Sequence, residues 1–239
     1  MNEKRGFLKG LFKEAKLKPT AILLVTPFLL TAYIYYGSPG FFNRRLAGFF
    51  NPRVLSPMSP DFFNFGAAFV TMFVIPALLI KFFFRERLKN YGLQSGDRRY
   101  GLLSVVILYP LISLLLVLPS AKLASFERAY PLFRHMGKIS PQFLLYALVF
   151  ALYYLGFEFF FRGFLLFGLR EQLGDFYSLL IQAIPTCLIH IGKPDGEIFA
   201  SIFSAFLFGY IALRTRSIWY VFLLHWLIGV SLNLFIGLA

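Results

Sequence analysis

The sequence predicts an all-helical membrane protein: a polytopic bundle of about seven transmembrane spans, preceded by an amphipathic helix at the membrane interface. The first observation is composition, because 58% of the 239 residues are hydrophobic and the mean hydropathy is +0.69. The second is several apolar runs close to the roughly 17 to 25 residues that cross the hydrocarbon layer. The third is charge, since only 15% of residues are charged and most basic ones lie between those runs. Together they exclude a soluble domain of this length.

The spans follow from the apolar runs and the breaks between them. Residues 1–18 carry Phe and Leu at helical spacing among lysines, which is typical of an interfacial helix. Residues 19–239 form one transmembrane domain. Its fourth helix is longer than a bilayer requires and is expected to tilt or protrude. The predicted spans are Pro19–Tyr36, Asp61–Phe84, Gly101–Ser120, Pro141–Arg170, Phe176–His190, Ile198–Leu213 and Ser217–Leu238.

The net charge of +13 is explained by membrane topology. The chain contains no recognisable nucleic-acid-binding module, so no nucleic-acid partner is expected. With the amino terminus in the cytoplasm, fourteen Lys and Arg residues fall on the cytoplasmic side and eight on the outer side. Cytoplasmic loops carry such an excess, and basic loops attract anionic lipids. We therefore expect an integral membrane protein with a cytoplasmic amino terminus and membrane lipids as partners.

Two charged residues interrupt the apolar stretch LYYLGFEFFFRGFLLFGLR, namely Glu158 and Arg162. A charge at the middle of a bilayer costs at least about 2.5 to 3.5 kcal/mol and usually faces a bundle interior or a hydrated cavity. The two residues are four positions apart and share one helical face. They form either an internal ion pair that neutralises both charges or a carboxylate poised for general-base chemistry, and the two roles are compatible.

His190 and His225 are the other polar groups in or at the end of long apolar runs. At 1.5 Å per residue from the predicted cytoplasmic helix ends, Glu158 lies roughly 15 Å deep, His225 roughly 12 Å and His190 roughly 20 Å. The similar depths favour one shared site, whereas the alternative is separate helix–helix hydrogen bonds. The same groups are metal-ligand types. With no HExxH motif and a single cysteine, Cys187, we expect no cofactor, and a divalent metal ion stays an open alternative.

Residues from about Tyr153 to Asn233 resemble the type II CAAX prenyl endopeptidase and bacteriocin-processing family of intramembrane proteases, known as CPBP or Abi proteins. That family carries EExxxR, FxxxH and HxxxN on successive helices, and here FEFFFRG, TCLIH and HWLIG follow in that order. Three positions depart from the pattern. Phe157 replaces the first Glu, Thr186 the aromatic residue and Gly229 the Asn. The resemblance implies a catalytic core at about 141–239 and a bacterial inner membrane location.

The resemblance further implies a glutamate-dependent endopeptidase that cleaves a peptide bond near the membrane with an activated water. Glu158 with His190 would activate the water, and His225 would stabilise the oxyanion. Arg162 would hold Glu158 in place. The substrate, a peptide or protein, is not specified by the sequence. Because Phe157 removes one acid, the alternative is a non-catalytic member acting as an immunity or chaperone-like factor, and the buried charges alone also suit a proton-coupled carrier.

Overall fold

The computed structural model describes residues 16–51, 56–130 and 139–238. These residues form helices and contain no strand, which confirms the predicted fold class. Six of the helices are long and apolar enough to cross a membrane, so the chain is an integral membrane protein. Most of the amphipathic helix predicted for residues 1–18 lies outside the described residues, and Leu17 already belongs to the first span.

Six long helices and several short ones make up most of the described residues. In chain order they are α1 (Leu17–Tyr36), α2 (Ser59–Phe83), α3 (Arg98–Ser120), the short α4 (Ala124–Ala129), α5 (Pro141–Leu188), α6 (Asp195–Thr215) and α7 (Trp219–Leu238). Shorter helical turns lie at Pro39–Phe41, Phe42–Leu46, Ala47–Phe49 and Leu88–Tyr91. Stretches of π-helix occur within the spans at Val70–Val74, Leu79–Phe83, Ser113–Val117 and Phe159–Phe167.

Two helices begin at side-chain caps that are visible in the sequence. The Asp97 side chain accepts a hydrogen bond from the Tyr100 backbone N–H at 3.1 Å, and α3 begins at the next residue. Ser140 accepts from the Phe143 backbone N–H at 3.2 Å, and Pro141 follows as the first residue of α5. Such caps satisfy backbone N–H groups that have no partner within the helix, and proline at the first position has no N–H to satisfy.

The long helix α5 explains why seven spans were predicted and six helices are found. It contains 48 residues, which at 1.5 Å per residue is about 72 Å, more than twice the hydrocarbon thickness. Gly174 breaks it with φ 75° and ψ 166°, a conformation that only glycine adopts readily. The break falls between the predicted fourth and fifth spans, so α5 consists of two limbs.

The first limb of α5 is the centre of the bundle. All residues from 156 to 169 are buried, as expected of a helix that is apolar on every side. Phe159 packs against Phe73 of α2 with ring centroids 4.6 Å apart. Phe157 contacts α7 through His225. Other helices enclose this limb, and the outer helices present most of the exposed Leu, Ile, Val and Phe side chains, including Leu24, Phe28, Leu103, Val106, Leu114 and Phe203.

The loops predicted to be cytoplasmic lie together at one end of the bundle. Lys18 pairs with Glu86 at 2.9 Å and with Glu171 at 3.5 Å, which joins α1, the loop after α2 and α5. At the same end, Arg214 pairs with Asp97 at 3.0 Å and joins α6 to the start of α3. These contacts connect segments that the charge count placed on one side of the membrane, and we call this region the Arg214 end.

Candidate functional site

Three of the four predicted site residues are in direct contact inside the bundle. Glu158 is fully buried on the first limb of α5, and its Oε1 lies 2.6 Å from His225 Nδ1 on α7. Its Oε2 lies 3.2 Å from Arg162 Nε, one turn further along the same helix. The His225 side chain keeps 19% of its surface exposed, whereas that of Glu158 keeps none. The carboxylate is thus sealed in, and the imidazole provides the link to the exterior of the site.

Arg162 is held mainly by charge and by aromatic rings. Its Nε is at ion-pair distance from Glu158, yet the angle does not make a hydrogen bond. The three guanidinium nitrogens have no hydrogen-bond partner among the described residues. The guanidinium carbon lies 5.8 Å from the ring centroid of Phe157 and 5.7 Å from that of Phe208. Cation–π attraction at this range helps to offset the burial of a charge.

A nine-residue π-helical stretch, Phe159–Phe167, starts directly after Glu158 and contains Arg162. The π-helix is rare and frequently found at functional sites. The loop before α3 packs closely on this stretch, because a Cβ at Gly163 would lie only 2.9 Å from the Tyr91 carbonyl oxygen. The stretch therefore combines a wide helical turn with close backbone packing, and both fix the direction of Arg162.

His190 occupies the turn that follows α5. Its Nδ1 lies 2.7 Å from the Thr186 carbonyl oxygen, a pure acceptor, so Nδ1 carries the proton and Nε2 is left as the acceptor nitrogen. Thr186 itself is buried and donates to the Gln182 carbonyl oxygen. Within the described part of the chain no hydrogen bond joins His190 to Glu158. The histidine that contacts the Glu158 carboxylate is therefore His225.

Phe157 lies between the two histidines. It is 1% exposed, and its ring centroid is 5.2 Å from that of His225 and 5.8 Å from that of His190, with both pairs edge-on. His190 thus joins the site through an aromatic ring and not through a polar contact. Phe157 therefore places an apolar side chain among the site residues, at the position where the family pattern has its first acid.

Sequence reasoning missed Tyr154. It lies one turn before Glu158 on α5, and its ring centroid is 4.6 Å from that of His225. Its hydroxyl lies against Gly229 of α7, where an added Cβ would overlap the phenolic oxygen. Asn233, one turn further on, donates to the Gly229 carbonyl oxygen at 2.9 Å within its own helix. The spacing of Tyr154 to Glu158 was visible in the sequence, but its contact with Gly229 depends on how α5 and α7 pack.

A second polar cluster lies near His190, at the end of the bundle opposite to the Arg214 end. Lys193 Nζ donates to the Tyr130 hydroxyl at 2.8 Å, and Tyr130 donates to Glu197 at 2.8 Å. Burial lowers the pKa of Lys193, and burial together with the Glu197 carboxylate raises the pKa of Tyr130 well above its usual value. This cluster connects the turn after α5 and the start of α6 to Tyr130, which directly follows α4.

The acid and the histidines are not arranged as a metal centre. Among the described residues no group of three or more His, Cys, Asp or Glu side chains is placed to hold a metal ion. Cys187 is partly buried, and its Sγ lies 4.0 Å from the Ile198 carbonyl oxygen. The polar groups of the site are instead paired with one another or with aromatic rings.

Fold and site together define an integral membrane protein of helices with an enclosed Glu–Arg–His centre. Residues 139–231 match the family described as type II CAAX prenyl endopeptidase Rce1-like. The matched region contains Glu158, Arg162, His190 and His225, so the resemblance inferred from the motifs is confirmed. Comparison with curated proteins and with solved structures gives no match.

Proposed function

We propose that the protein is an intramembrane endopeptidase of the glutamate-dependent type, in which Glu158 acts through His225. The observation that carries this proposal is the 2.6 Å contact between a fully buried carboxylate and the Nδ1 of a partly exposed histidine. A carboxylate on Nδ1 holds the proton there, which leaves Nε2 free as a base. The Glu158 side chain is fully buried whereas that of His225 is 19% exposed, so the water is assigned to the imidazole.

The proposed reaction needs one water molecule and one peptide bond. His225 Nε2 takes a proton from the water while the water oxygen bonds to the carbonyl carbon, and the carbonyl oxygen becomes an oxyanion. When the carbon–nitrogen bond breaks, the imidazolium returns the proton to the departing amine. The products are a carboxylic acid and an amine. General-base catalysis of this kind contributes about 10²- to 10⁴-fold.

His190 and Arg162 have supporting roles in this proposal. His190 keeps Nε2 as an acceptor nitrogen, because its Nδ1 donates to the Thr186 carbonyl oxygen. It serves to bind the peptide or to relay a proton. Arg162 orients the Glu158 carboxylate, because its Nε lies 3.2 Å from Glu158 Oε2. The substrate is a peptide or protein segment that reaches the membrane, and the chain lies in a bacterial inner membrane with a cytoplasmic amino terminus.

The test is cleavage of membrane-tethered peptides by the purified protein in lipid nanodiscs, with products identified by mass spectrometry. We expect Glu158→Gln and His225→Ala each to reduce the rate by about 10²-fold or more. Glu127→Gln, an exposed carboxylate on α4, is the matched control and should keep the wild-type rate. Rates of the first two variants equal to the control would overturn the endopeptidase assignment.

A second candidate function is favoured by Phe157. Its buried ring separates the two histidines where the family pattern has an acid. On this alternative the chain keeps the scaffold without the chemistry and binds a partner as an immunity or chaperone-like factor. Phe157→Glu discriminates between the two functions. New hydrolysis by this variant, in a protein otherwise inert, supports the non-catalytic alternative, whereas hydrolysis by the wild type rejects it.

A further inference from the structure

We propose that Tyr154 is a further catalytic residue, whose hydroxyl donates a hydrogen bond to the oxyanion formed at the scissile carbonyl. This inference rests on the proposed endopeptidase function and adds a group that no motif contains. The Tyr154 ring contacts the imidazole of His225 in a tilted arrangement, with ring centroids 4.6 Å apart and an interplanar angle of 54°. A group fixed beside the base lies close to the carbonyl that the activated water attacks.

The hydroxyl is placed by α7. Gly229 follows His225 by one turn, and any larger residue there would overlap the phenolic oxygen. Because Gly229 has no side chain, the Tyr154 hydroxyl can lie against the face of α7 that also carries the base, His225. Close approach of another group to the backbone is one of the few reasons for which a helix interior requires glycine.

The hydroxyl is also available to donate. Buried tyrosines usually find a hydrogen-bond partner, as Tyr109 does with Ser231 at 2.8 Å. Among the described residues the Tyr154 hydroxyl makes no hydrogen bond, and it lies against Gly229. A donor held rigidly and not bonded to a described residue has the properties of an oxyanion-hole group, because it needs no reorganisation when charge develops.

The test compares kcat and KM for Tyr154→Phe with those of Tyr146→Phe. Tyr146 is a matched control, since it lies two turns earlier on the same helix, is 1% exposed and loses the same hydroxyl. We expect Tyr154→Phe to lower kcat by about 10²-fold with KM unchanged, as for other oxyanion donors. Tyr146→Phe should keep kcat. Gly229→Ala, which displaces the phenol, should lower kcat in the same way while Gly66→Ala, a helical glycine with open space around it, does not.

Two failures can be told apart. If Glu158→Gln and His225→Ala abolish hydrolysis while Tyr154→Phe behaves like Tyr146→Phe, the role of Tyr154 is wrong and the endopeptidase function stands. If Glu158→Gln and His225→Ala keep the wild-type rate, the function fails and the role of Tyr154 fails with it. Thermal unfolding of each variant separates loss of fold from loss of the donor.

A separate observation, a cavity at the Arg214 end, supports a second inference that does not depend on the chemistry of Glu158. The cavity has a volume of about 650 Å³ and lies where the first limb of α5 and α6 end and α3 begins. Three arginines and one aspartate give its lining a formal charge of +2. Its lining consists of Gln94, Gly96, Asp97, Arg170, Leu213, Arg214, Thr215 and Arg216.

We infer that this cavity binds a phosphate-bearing anion at the membrane surface. Arg170 is paired with Asp175 at 2.8 Å and Arg214 with Asp97 at 3.0 Å, whereas no ion pair among the described residues involves Arg216. Arginine binds phosphate through two parallel N–H donors. The start of α7 beside the cavity carries Trp219, 40% exposed, and tryptophan at a helix end is typical of the headgroup level. Basic pockets between helices on the cytoplasmic side bind anionic headgroups.

The experiment measures bound lipid by native mass spectrometry of the full chain, with phosphatidylglycerol and phosphatidylcholine compared. We expect phosphatidylglycerol to bind preferentially and the double variant Arg170→Gln/Arg216→Gln to bind it roughly 30-fold more weakly, from the loss of two surface arginines. Arg87→Gln/Lys89→Gln removes the same charge from exposed residues outside the cavity and is the control. Equal affinity of the two double variants would overturn the site. Competition by inorganic phosphate identifies a soluble anion as the ligand, and no competition identifies the lipid headgroup.

Discussion

The Glu158 carboxylate and the His225 imidazole are 67 positions apart in the chain and 2.6 Å apart in the bundle. Glu158 lies on the central helix and is shielded on every side, whereas His225 keeps part of its ring exposed. Through the imidazole of His225, the buried Glu158 carboxylate can act on a group that lies outside its own buried surroundings.

The Glu158–His225 pair should behave as a unit in a double-mutant cycle. Glu158→Gln removes the group that orients the base, and His225→Ala removes the base itself. The double variant should therefore lose little more activity than the more damaging single variant. Residues that act together in catalysis are strongly non-additive in this way. The measurement is kcat/KM for the four proteins with one tethered peptide. If the fold-losses of kcat/KM of the two single variants multiply in the double variant, the two side chains act independently.

Arg162→Gln should destabilise the protein by roughly 3 to 5 kcal/mol, because it leaves a buried carboxylate without its counter-charge. Glu158→Gln/Arg162→Gln should recover part of that loss, since neither partner is then charged. Thermal and denaturant unfolding in detergent measures both changes. A single variant as stable as the wild type would show that the 3.2 Å ion pair contributes nothing to the free energy of unfolding.

Gly174→Ala should cost about 1 to 3 kcal/mol, since φ 75° and ψ 166° are strained for any residue with a Cβ. No atom lies within 4 Å of the position of an added Cβ, so the cost comes from the backbone alone. Gly66→Ala is the control, because it also has open space around it and has helical φ. An equal unfolding temperature for the two variants would contradict the strain at Gly174.

Asp97 should make stability depend on acid pH. The Tyr100 backbone N–H, with the Arg214 guanidinium, holds the pKa of Asp97 below its ordinary value. A lowered pKa contributes stability that is present above the unfolded-state value, near 3.9, and is lost as the pH falls through the folded value. Asp97→Asn should therefore narrow the difference in unfolding temperature between pH 7 and strongly acidic buffer. Glu127→Gln serves as the exposed control and should leave that difference unchanged.

Hydrolysis should persist after treatment with EDTA. The proposed base, its orienting acid and the oxyanion donor are all side chains of this chain. The check is the rate of peptide cleavage before and after dialysis against the chelator. Loss of the rate, with recovery on addition of one divalent metal, would contradict the proposed reaction and return the metal alternative.

The spans were predictable because a bilayer dictates their length. Asp61–Phe84 was predicted and Ser59–Phe83 is found, and the break between the fourth and fifth predicted spans contains Gly174. The loops that the charge count placed on one side of the membrane, such as those of Asp97 and Arg214, meet at one end of the bundle. The lengths of the spans and this grouping of loops both depend on local composition, which the sequence reports directly.

The site was predictable in its members and not in its contacts. Burial cost singled out Glu158 and Arg162, and depth counting added the histidines. Glu158 pairs with His225 and not with His190 because of the way α7 is rotated against α5. The helical periodicity of a single sequence does not report how two helices are rotated against each other. The place of Tyr154 over Gly229 and the π-helical turns likewise arise from packing between helices.

The order in which the chain is synthesised gives a further reason for the four-residue spacing of Glu158 and Arg162. Glu158 enters the bilayer 67 residues before His225 has been added to the chain, so the imidazole is absent when the acid leaves water. Arg162, four residues on, is the counter-charge that travels with it. We expect this pair to lower the cost of inserting the charged helix, and the proposed Glu158–His225 centre is complete only when α7 packs beside α5.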